Sequence, residues 1–587
     1  MLLLVPAAAR AAGIYRSVEG EGLRVTMDAE WGSQLAPGYL PVRFDITNTN
    51  AARVIEIVVD GNRVTMGGRL YGYTAARTAI VQTVRLARGD RVRLTVPVPI
   101  LGDSQSLQFR IREDGRLLHE LGGTGFQSGA PADDSSVLIA ADTSTPFGRV
   151  AAGWPRAVSP SRSGPFLHAA PPSGGAASLP SFDFVLDPAR MPTNWLGFTS
   201  MRAVFMGPME WRRLSDEQRS ALRTWTACGG DLVLVDGDFS MLPRVGSYSP
   251  VVHASGETVP YFLGHVHVVK AETIVGSGLG SVLSGLPSVH VADWALPTTR
   301  AFEWGSGTER GFRLPIPGIG QVPARAYLAI LLLFSVFIGP VNYLFLARRN
   351  RQALVVLTTP LISVVFVVLL ATYVVAGEGF GIHGRAVSLT VLDQRSQAAA
   401  TRASISLYAA GRTPSAGLRF PRDMAILPIG RDGRSSTDDI RVDLSESQRF
   451  ASGLVRARAP SNYEALSFRT ARERLVFARD GDQLTVVNGL GTPVAKLWIR
   501  TADRAYSLTH PLAAGGKATL SVSRGVAESL IEAGYPLRSK LAALSSTQPQ
   551  HSYLALLDHS PFWQPGISGV DERASFHLVL GLVEPLP

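Results

Sequence analysis

Two histidines with one residue between them are the strongest candidates for chemistry in this chain. In an extended strand, His265 and His267 project from the same face, because successive side chains alternate. Two imidazoles on one face can bind a transition-metal ion such as zinc, and His253 lies close in sequence. No carboxylate stands near enough in the sequence to complete such a site, and two half-exposed strand histidines are the simpler interpretation. His265 and His267 are therefore candidate metal ligands.

Two carboxylates, Asp236 and Asp238, follow the predicted strand Asp231–Val235. Asp236 and Asp238 are predicted to lie at the carboxyl end of a strand, the edge where open α/β sheets bind ligands. They are candidate ligand-binding residues, and ordinary loop acids are the alternative. The glycine-rich segment 276–280 lacks both the G-x-G-x-x-G spacing and a Walker lysine, so we interpret it as a turn.

An α/β unit is predicted to position these residues, over residues 134–300. Ser215 and Gln218 form a capping box, which predicts a helix from Ser215 to Ala227. Apolar segments on both sides of this helix are typical of buried strands: Val137–Ala140, Ala203–Met206 and Asp231–Val235. Strand, helix and strand in this order predict a parallel sheet.

Residues 146–180 interrupt the unit with seven prolines and many glycines and serines. Such a composition cannot bury a core, so we predict a flexible insertion there.

The chain on both sides of the α/β unit is predicted to be rich in strands. Between residues 20 and 128, short alternating segments are separated by turn signals such as Asp60-Gly61-Asn62, which is typical of an antiparallel β-sandwich. The segment PGYLPVRFDITN, residues 37–48, resembles a strand of immunoglobulin-like bacterial surface domains. Residues 385–587 are predicted to form a second, larger β-rich domain.

Two apolar stretches predict a transmembrane hairpin. Residues 327–346 and 353–376 contain no charged side chain, and each is long enough to cross the hydrocarbon core of about 30 Å. Pro340 follows a glycine in the first stretch and is expected to disturb that helix. Asn342 also lies there; we interpret it as a headgroup-level residue, and contact between helices is the alternative.

The charges of the hairpin predict its orientation. The short loop between the two stretches carries Arg348, Arg349 and Arg351, and positive charge in short loops stays in the cytoplasm. Both arms of the chain are then expected outside the cytoplasm. Residues 1–12 resemble the second half of a signal peptide, which agrees with export, although an ordinary first strand is the alternative.

The composition excludes several classes of protein. The 587 residues carry a net charge of +10, but the basic residues are almost all scattered arginines, which argues against a nucleic-acid-binding surface. The single cysteine excludes a disulfide scaffold and a cysteine-based zinc cluster.

The α/β unit resembles the glutamine-amidotransferase-like, flavodoxin-like domains of large bacterial membrane proteins. The resemblance rests on three segments: Asn194–Gly197, Leu214–Trp225 and Gly229–Leu234. A preceding sandwich and a following hairpin also fit that family. The resemblance implies a nucleophilic cysteine in a G-x-C-x-G elbow, but this sequence has no such elbow and no G-x-S-x-G serine. Cys228 is predicted at the carboxyl end of a helix, where the helix dipole raises a thiol pKa.

These observations favour a non-enzymatic protein anchored in the bacterial cytoplasmic (inner) membrane. We expect a scaffold or accessory subunit that contacts the lipid bilayer and a membrane-protein partner, such as a transporter or an envelope-assembly complex. No cofactor is expected. Two alternatives stay open: an extracytoplasmic hydrolase or amidotransferase-like enzyme, and a binding protein that senses a small ligand or carbohydrate.

Overall fold

The computed structural model describes residues 14–29, 38–65, 74–100, 104–121, 124–129, 136–152, 182–242, 251–253, 256–275, 314–319, 324–411, 413–429, 439–481, 483–523 and 548–585. Over these residues the protein is multidomain and mostly β, with several sheets, one mixed sheet with helices, and two long apolar helices. The predicted signal segment 1–12 and the glycine-rich segment 276–280 lie outside the described residues.

The strands and helices are bounded as follows. The strands are β1 (Ile14–Gly20), β2 (Leu23–Ala29), β3 (Gly38–Asn48), β4 (Arg53–Thr65), β5 (Thr74–Leu86), β6 (Arg91–Ile100), β7 (Ser104–Glu113), β8 (Arg116–Leu117), β9 (Thr124–Gly129), β10 (Ser136–Ala140), β11 (Phe182–Leu186), β12 (Ala203–Met206), β13 (Asp231–Val235), β14 (Val251–His253), β15 (Gly256–Tyr261), β16 (Gly264–Val269), β17 (Ile382–Asp393), β18 (Ala398–Ala409), β19 (Leu418–Phe420), β20 (Ala425–Ile429), β21 (Ile440–Asp443), β22 (Gln448–Ser452), β23 (Pro460–Thr470), β24 (Arg474–Asp480), β25 (Gln483–Gly489), β26 (Val494–Arg500), β27 (Ala505–Ser507), β28 (Lys517–Ser523), β29 (Ser552–Leu557), β30 (Val570–Glu572) and β31 (Phe576–Leu582). The helices are α1 (Pro146–Ala152), α2 (Pro208–Arg213), α3 (Asp216–Ala227), α4 (residues 271–275), α5 (Ala324–Val336), α6 (Asn342–Arg348) and α7 (Val355–Glu378).

The amino-terminal strands belong to two sheets. An antiparallel four-stranded sheet has the order β1-β2-β3-β6, and β5, β4 and β7 belong to the second sheet. Apolar side chains of both sheets share one core, in which the rings of Phe44 and Phe109 meet edge to face at 6.0 Å. The predicted turn at Asp60-Gly61-Asn62 is wrong. These three residues pair with β5 on one side and β7 on the other, so the backbone remains extended to Thr65.

The second sheet also contains strands from the far end of the chain, and we call it the joined sheet. Its order is β19-β22-β21-β5-β4-β7-β8. β21 lies parallel to β5, with Ile440 opposite Thr78 and Asp443 opposite Val81. The Ser445 hydroxyl accepts a hydrogen bond from the Thr83 amide at 3.0 Å, just beyond the last pair. Strands from before and after the apolar helices therefore share one ladder.

The mixed sheet has the order β11-β10-β12-β13-β16-β15-β14. The pairs from β11 through β16 are parallel, as the strand–helix–strand pattern predicts, and β15 runs antiparallel to β16. The predicted capping box begins α3: the Ser215 hydroxyl accepts from the Gln218 amide, and the Gln218 side chain accepts from the Ser215 amide.

The start of the predicted flexible insertion is helical. Residues 146–152 form α1, which buries Phe147 and Ala151 against the mixed sheet. This apolar burial stabilises the helix, and Pro146 is compatible with its first position because an amide hydrogen there would have no partner within the helix. The remainder of the predicted insertion, residues 153–180, lies outside the described residues.

The apolar helices form a hairpin. Two stretches, Tyr327–Arg348 and Gln352–Tyr373, are long and apolar enough to cross a membrane, and almost none of their residues are buried. A π-helical turn over Phe337–Val341 surrounds Pro340, which has no amide hydrogen to donate. The contact between helices that was the alternative for Asn342 is present, since this side chain is buried and accepts a hydrogen bond from Thr358 of the second helix. Its position at headgroup level stays a prediction.

Candidate functional site

The register of the mixed sheet brings three titratable side chains together on one face. β16 lies between β13 and β15, with Asp231 directly opposite His265. On the other side of β16, Thr258 is directly opposite His267. Because side chains two residues apart share a face, Asp231, His265, His267 and Thr258 point to the same side of the sheet. We call the first three the Asp–His–His cluster.

The Asp–His–His cluster is compact and buried. Asp231 is 2% exposed, His265 5% and His267 0%. One oxygen of the aspartate, Oδ1, lies 3.3 Å from His267 Nε2 and 3.5 Å from His265 Nδ1. The three possible ligand atoms all lie within 4.8 Å of one another. The arrangement can therefore hold a metal ion, and the half-exposed surface expected for these histidines is not found.

The backbone at the start of β16 packs closely against the backbone at the end of α3, and this contact positions the cluster. Gly264 begins β16, and a Cβ atom there would lie 2.2 Å from the Thr226 carbonyl oxygen and 2.4 Å from that of Gly230. Only glycine fits so close to the end of α3. The approach lets the His265 amide donate to the Gly230 carbonyl at 3.2 Å, which fixes His265 beside the first residue of β13.

Asp236 and Asp238 lie at the opposite end of the strands from the cluster. Asp236 has a positive φ of 54°, and its Oδ1 accepts from the Ala271 amide at 3.0 Å. Asp238 caps a short 3₁₀ turn by accepting from the Ser240 amide at 2.8 Å, and its hydrogen bonds from Ser240 lower the pKa of that carboxyl. Both carboxylates thus stabilise turns at this edge, and their predicted ligand-binding role stays a prediction.

A buried glutamate at the same edge was missed by the sequence analysis. Glu210 lies in α2, directly after β12, and its side chain is fully buried. Its Oε1 accepts a hydrogen bond from the Thr145 hydroxyl, which also accepts from the Gly148 amide at 3.0 Å. The bond ties the segment after β10 to the segment after β12. A Glu in a short polar segment gives no sequence signal of such burial.

Cys228 is placed where the sequence analysis expects it, at the carboxyl end of α3. The side chain is buried, and this burial is the main cause that raises its pKa well above the ordinary thiol value. The thiol is therefore held in its neutral form, which is a poor nucleophile.

A serine–histidine–glutamate array lies in the sheet that contains β17 and β31. Ser388 Oγ is 2.8 Å from His577 Nδ1, and His577 Nε2 is 3.4 Å from Glu572 Oε2. Serine and histidine are each at most 2% exposed. A substrate cannot reach a hydroxyl buried between strands, so we interpret this array as a structural network that satisfies buried polar groups.

The arginines of the hairpin loop are exposed. Arg348, Arg349 and Arg351 lie at the tip, and the Arg349 guanidinium stacks over the ring of Phe345 with 4.5 Å to its centroid. These three cations are therefore exposed together at one end of the apolar helices.

Comparison with known proteins leaves the family open. No protein-family model matches the chain, and no curated protein matches it in sequence. Among solved structures, part of the chain is similar to Spo0M, a sporulation control protein from Bacillus subtilis, with 10% sequence identity and a TM-score of 0.13. This match covers 19% of the chain and spans about half of that protein, 51%. A likeness of this size carries no conclusion about function.

Proposed function

We propose that this protein is a membrane-anchored scaffold of the bacterial cell envelope, without catalytic activity of its own. The hairpin holds it in the cytoplasmic membrane. The β-rich arms and the α/β unit lie outside the cytoplasm, where they bind a membrane-protein partner such as a transporter or an envelope-assembly complex.

The pairing of β5 with β21 is the observation that carries this proposal. β5 precedes the hairpin in sequence and β21 follows it, yet the two strands share a parallel ladder. Paired strands lie on the same side of a bilayer, so a hairpin that crosses the membrane keeps both arms together on one side. Positive charge in short loops favours the cytoplasm, so the three arginines at the tip of the hairpin support an outer location of the arms.

Further contacts between the arms support a single rigid body outside the membrane. Trp195, in the α/β unit, donates its indole hydrogen to the Asp423 carbonyl at 2.9 Å. Phe262, at the turn before β16, meets the ring of Phe468 edge to face at 5.4 Å. A rigid assembly of several sheets offers a large fixed surface, which suits a scaffold.

The strand orders support a finer fold assignment within this proposal. The order β11-β10-β12-β13-β16 is the 2-1-3-4-5 order of flavodoxin-like folds. We assign residues 134–300 to a flavodoxin-like domain of the glutamine-amidotransferase-like kind, which is catalytically degenerate because the sequence has no nucleophile elbow. Residues 20–128, whose strands form the four-stranded sheet and part of the joined sheet, are assigned to an immunoglobulin-like sandwich.

Cysteine labelling tests the orientation, because Cys228 is the single native cysteine. In a Cys228→Ala background, Asn350→Cys marks the hairpin tip and Asp114→Cys marks an exposed turn of the amino-terminal arm. We expect a membrane-impermeant maleimide to label Asp114→Cys in spheroplasts, and Asn350→Cys only after lysis. Labelling of both positions alike, or the reverse pattern, would contradict the proposed orientation.

Co-purification tests the scaffold role. The full chain, tagged at its carboxyl terminus, is crosslinked mildly in membranes and purified in several detergents beside an unrelated membrane protein with the same tag. We expect a stoichiometric membrane-protein partner that the control lacks. Recovery of the protein alone in every detergent would contradict the accessory-subunit role and direct attention to the ligand-sensing alternative.

A further inference from the structure

We propose that Asp231, His265 and His267 bind one zinc ion, which holds β13 against β16 at the amino-terminal edge of the mixed sheet. This inference does not rest on the proposed scaffold role. It adds to the two histidines a carboxylate that lies 34 positions before the first of them in sequence, and that only the strand register brings into contact.

The distances within the cluster fit neighbouring ligands of a tetrahedral ion. With bonds of about 2.0–2.1 Å from zinc to nitrogen or oxygen, two ligand atoms lie about 3.3–3.4 Å apart. Asp231 Oδ1 is 3.3 Å from His267 Nε2 and 3.5 Å from His265 Nδ1. Both separations match this ligand spacing, and the contact between His267 Nε2 and Asp231 Oδ1 is also within hydrogen-bonding distance.

Thr258 holds the ring of His267 in the orientation that this site needs. Its Oγ1 lies 2.8 Å from His267 Nδ1. Metal-bound histidines generally donate their second ring N–H to an oxygen atom, which fixes the tautomer and leaves the other nitrogen for the metal. A Thr258 hydroxyl that accepts from Nδ1 therefore directs the lone pair of Nε2 towards Asp231, the side on which zinc would bind.

The chemistry of the ligands selects the ion. Two imidazole nitrogens and one carboxylate oxygen suit zinc, whereas calcium and magnesium prefer oxygen ligands throughout. A divalent cation also offsets the cost of burying the Asp231 carboxylate, which is 2% exposed. The described residues supply three ligands on two adjacent strands, which leaves the fourth position of a tetrahedral zinc ion for a water molecule.

Metal analysis of the full chain tests the proposal directly. The protein is purified in detergent with a tag that contains no histidine, and zinc is measured by mass spectrometry after dialysis. Chelator-treated protein is then titrated with zinc chloride in competition with a coloured chelator. We expect about one zinc per chain, and a thermal midpoint that falls on chelation and recovers on readdition. A chain that neither carries nor takes up zinc would overturn the proposal, and recovery of iron in its place would overturn the choice of zinc.

Variants identify the ligands. His267→Gln and Asp231→Asn should lose the bound zinc and the response of the thermal midpoint to chelation. His383→Gln is the matched control, because His383 is also a buried histidine beside a carboxylate, with Nδ1 3.0 Å from Asp571 Oδ2. Thr258→Val keeps the ligands and should weaken zinc binding about 10–100-fold. Where a ligand variant does not fold, Thr258→Val still tests the proposal. If Thr258→Val binds zinc as tightly as His383→Gln does, the proposed site is contradicted.

Discussion

Asn342 Oδ1 accepts a hydrogen bond from Thr358 Oγ1 at 3.0 Å, and this bond joins the two apolar helices. Asn342 is buried in the hairpin, while its neighbours Tyr343 and Leu344 are more than half exposed. Asn342 is the first residue after the π-helical turn Phe337–Val341, which contains Pro340. The polar side chain therefore joins the two helices in the half of the hairpin nearer its loop.

Replacing these two residues should loosen the hairpin. We expect Asn342→Leu and Thr358→Val each to lower the thermal midpoint of the helical ellipticity in detergent. The two changes should couple, by about 0.6 kcal/mol, because interhelical hydrogen bonds in membranes are worth about that much. Ser335→Ala is the control, since the Ser335 hydroxyl donates only to the Leu331 carbonyl of its own helix. Strict additivity of Asn342→Leu and Thr358→Val would contradict a direct bond.

The elements of the fold were largely predictable, because they depend on local sequence. Short continuous apolar segments predicted Ala203–Met206 and Asp231–Val235 with their observed bounds, and the capping box predicted the start of α3. The pairing of β5 with β21 was not predictable. The partners lie more than 350 residues apart in sequence, and a strand's own pattern does not specify which edge it joins.

The candidate site was predicted only in part, because local sequence patterns place its two histidines but not their partner on another strand. The one-residue spacing of His265 and His267 places them on one face, which follows from strand geometry alone. Asp231 looked like an ordinary strand start, because its relation to the histidines depends on the order β13-β16 and on their register. Glu210 was missed since charged side chains are rarely fully buried, so the default for such a residue is exposure.

Cys228 should be unreactive in the folded protein. Burial raises the pKa of its thiol, so almost no thiolate is present at neutral pH, and the sulfur is shielded from reagents. We expect no modification by iodoacetamide under native conditions and one equivalent in guanidinium chloride, measured by intact mass. Asp114→Cys, in an exposed turn, is the control for reagent activity. Rapid native modification of Cys228 would instead favour the enzyme alternative.

Glu113 should contribute to acid sensitivity. Arg53 donates to Glu113 through two nitrogens, one of them at 2.7 Å, and this hydrogen bonding lowers the pKa of the carboxyl. A carboxyl with a lowered folded pKa stabilises the protein above its unfolded value of about 4.3, and the contribution is lost as the pH falls through the folded pKa. Urea midpoints measured between about pH 6 and pH 3 should therefore fall less in Glu113→Gln than in the wild type. The exposed Glu446→Gln should follow the wild type, and an unchanged slope in Glu113→Gln would contradict the prediction.

Tyr39 should stabilise the contact between the two arms through its hydrogen bonds. It is fully buried in β3, and its hydroxyl donates to Gln448 Oε1 and accepts from the Ile426 amide at 2.9 Å. Tyr39→Phe leaves both groups buried without this partner, which should cost about 1–3 kcal/mol in urea unfolding. In a double-mutant cycle with Gln448→Leu we expect coupling of at least about 0.5 kcal/mol, since residues in one hydrogen-bond network are not additive. The control cycle pairs Gln448→Leu with Tyr553→Phe, a tyrosine of a different hydrophobic core, and should be additive. Equal behaviour of the two cycles would show that Tyr39 acts by packing alone.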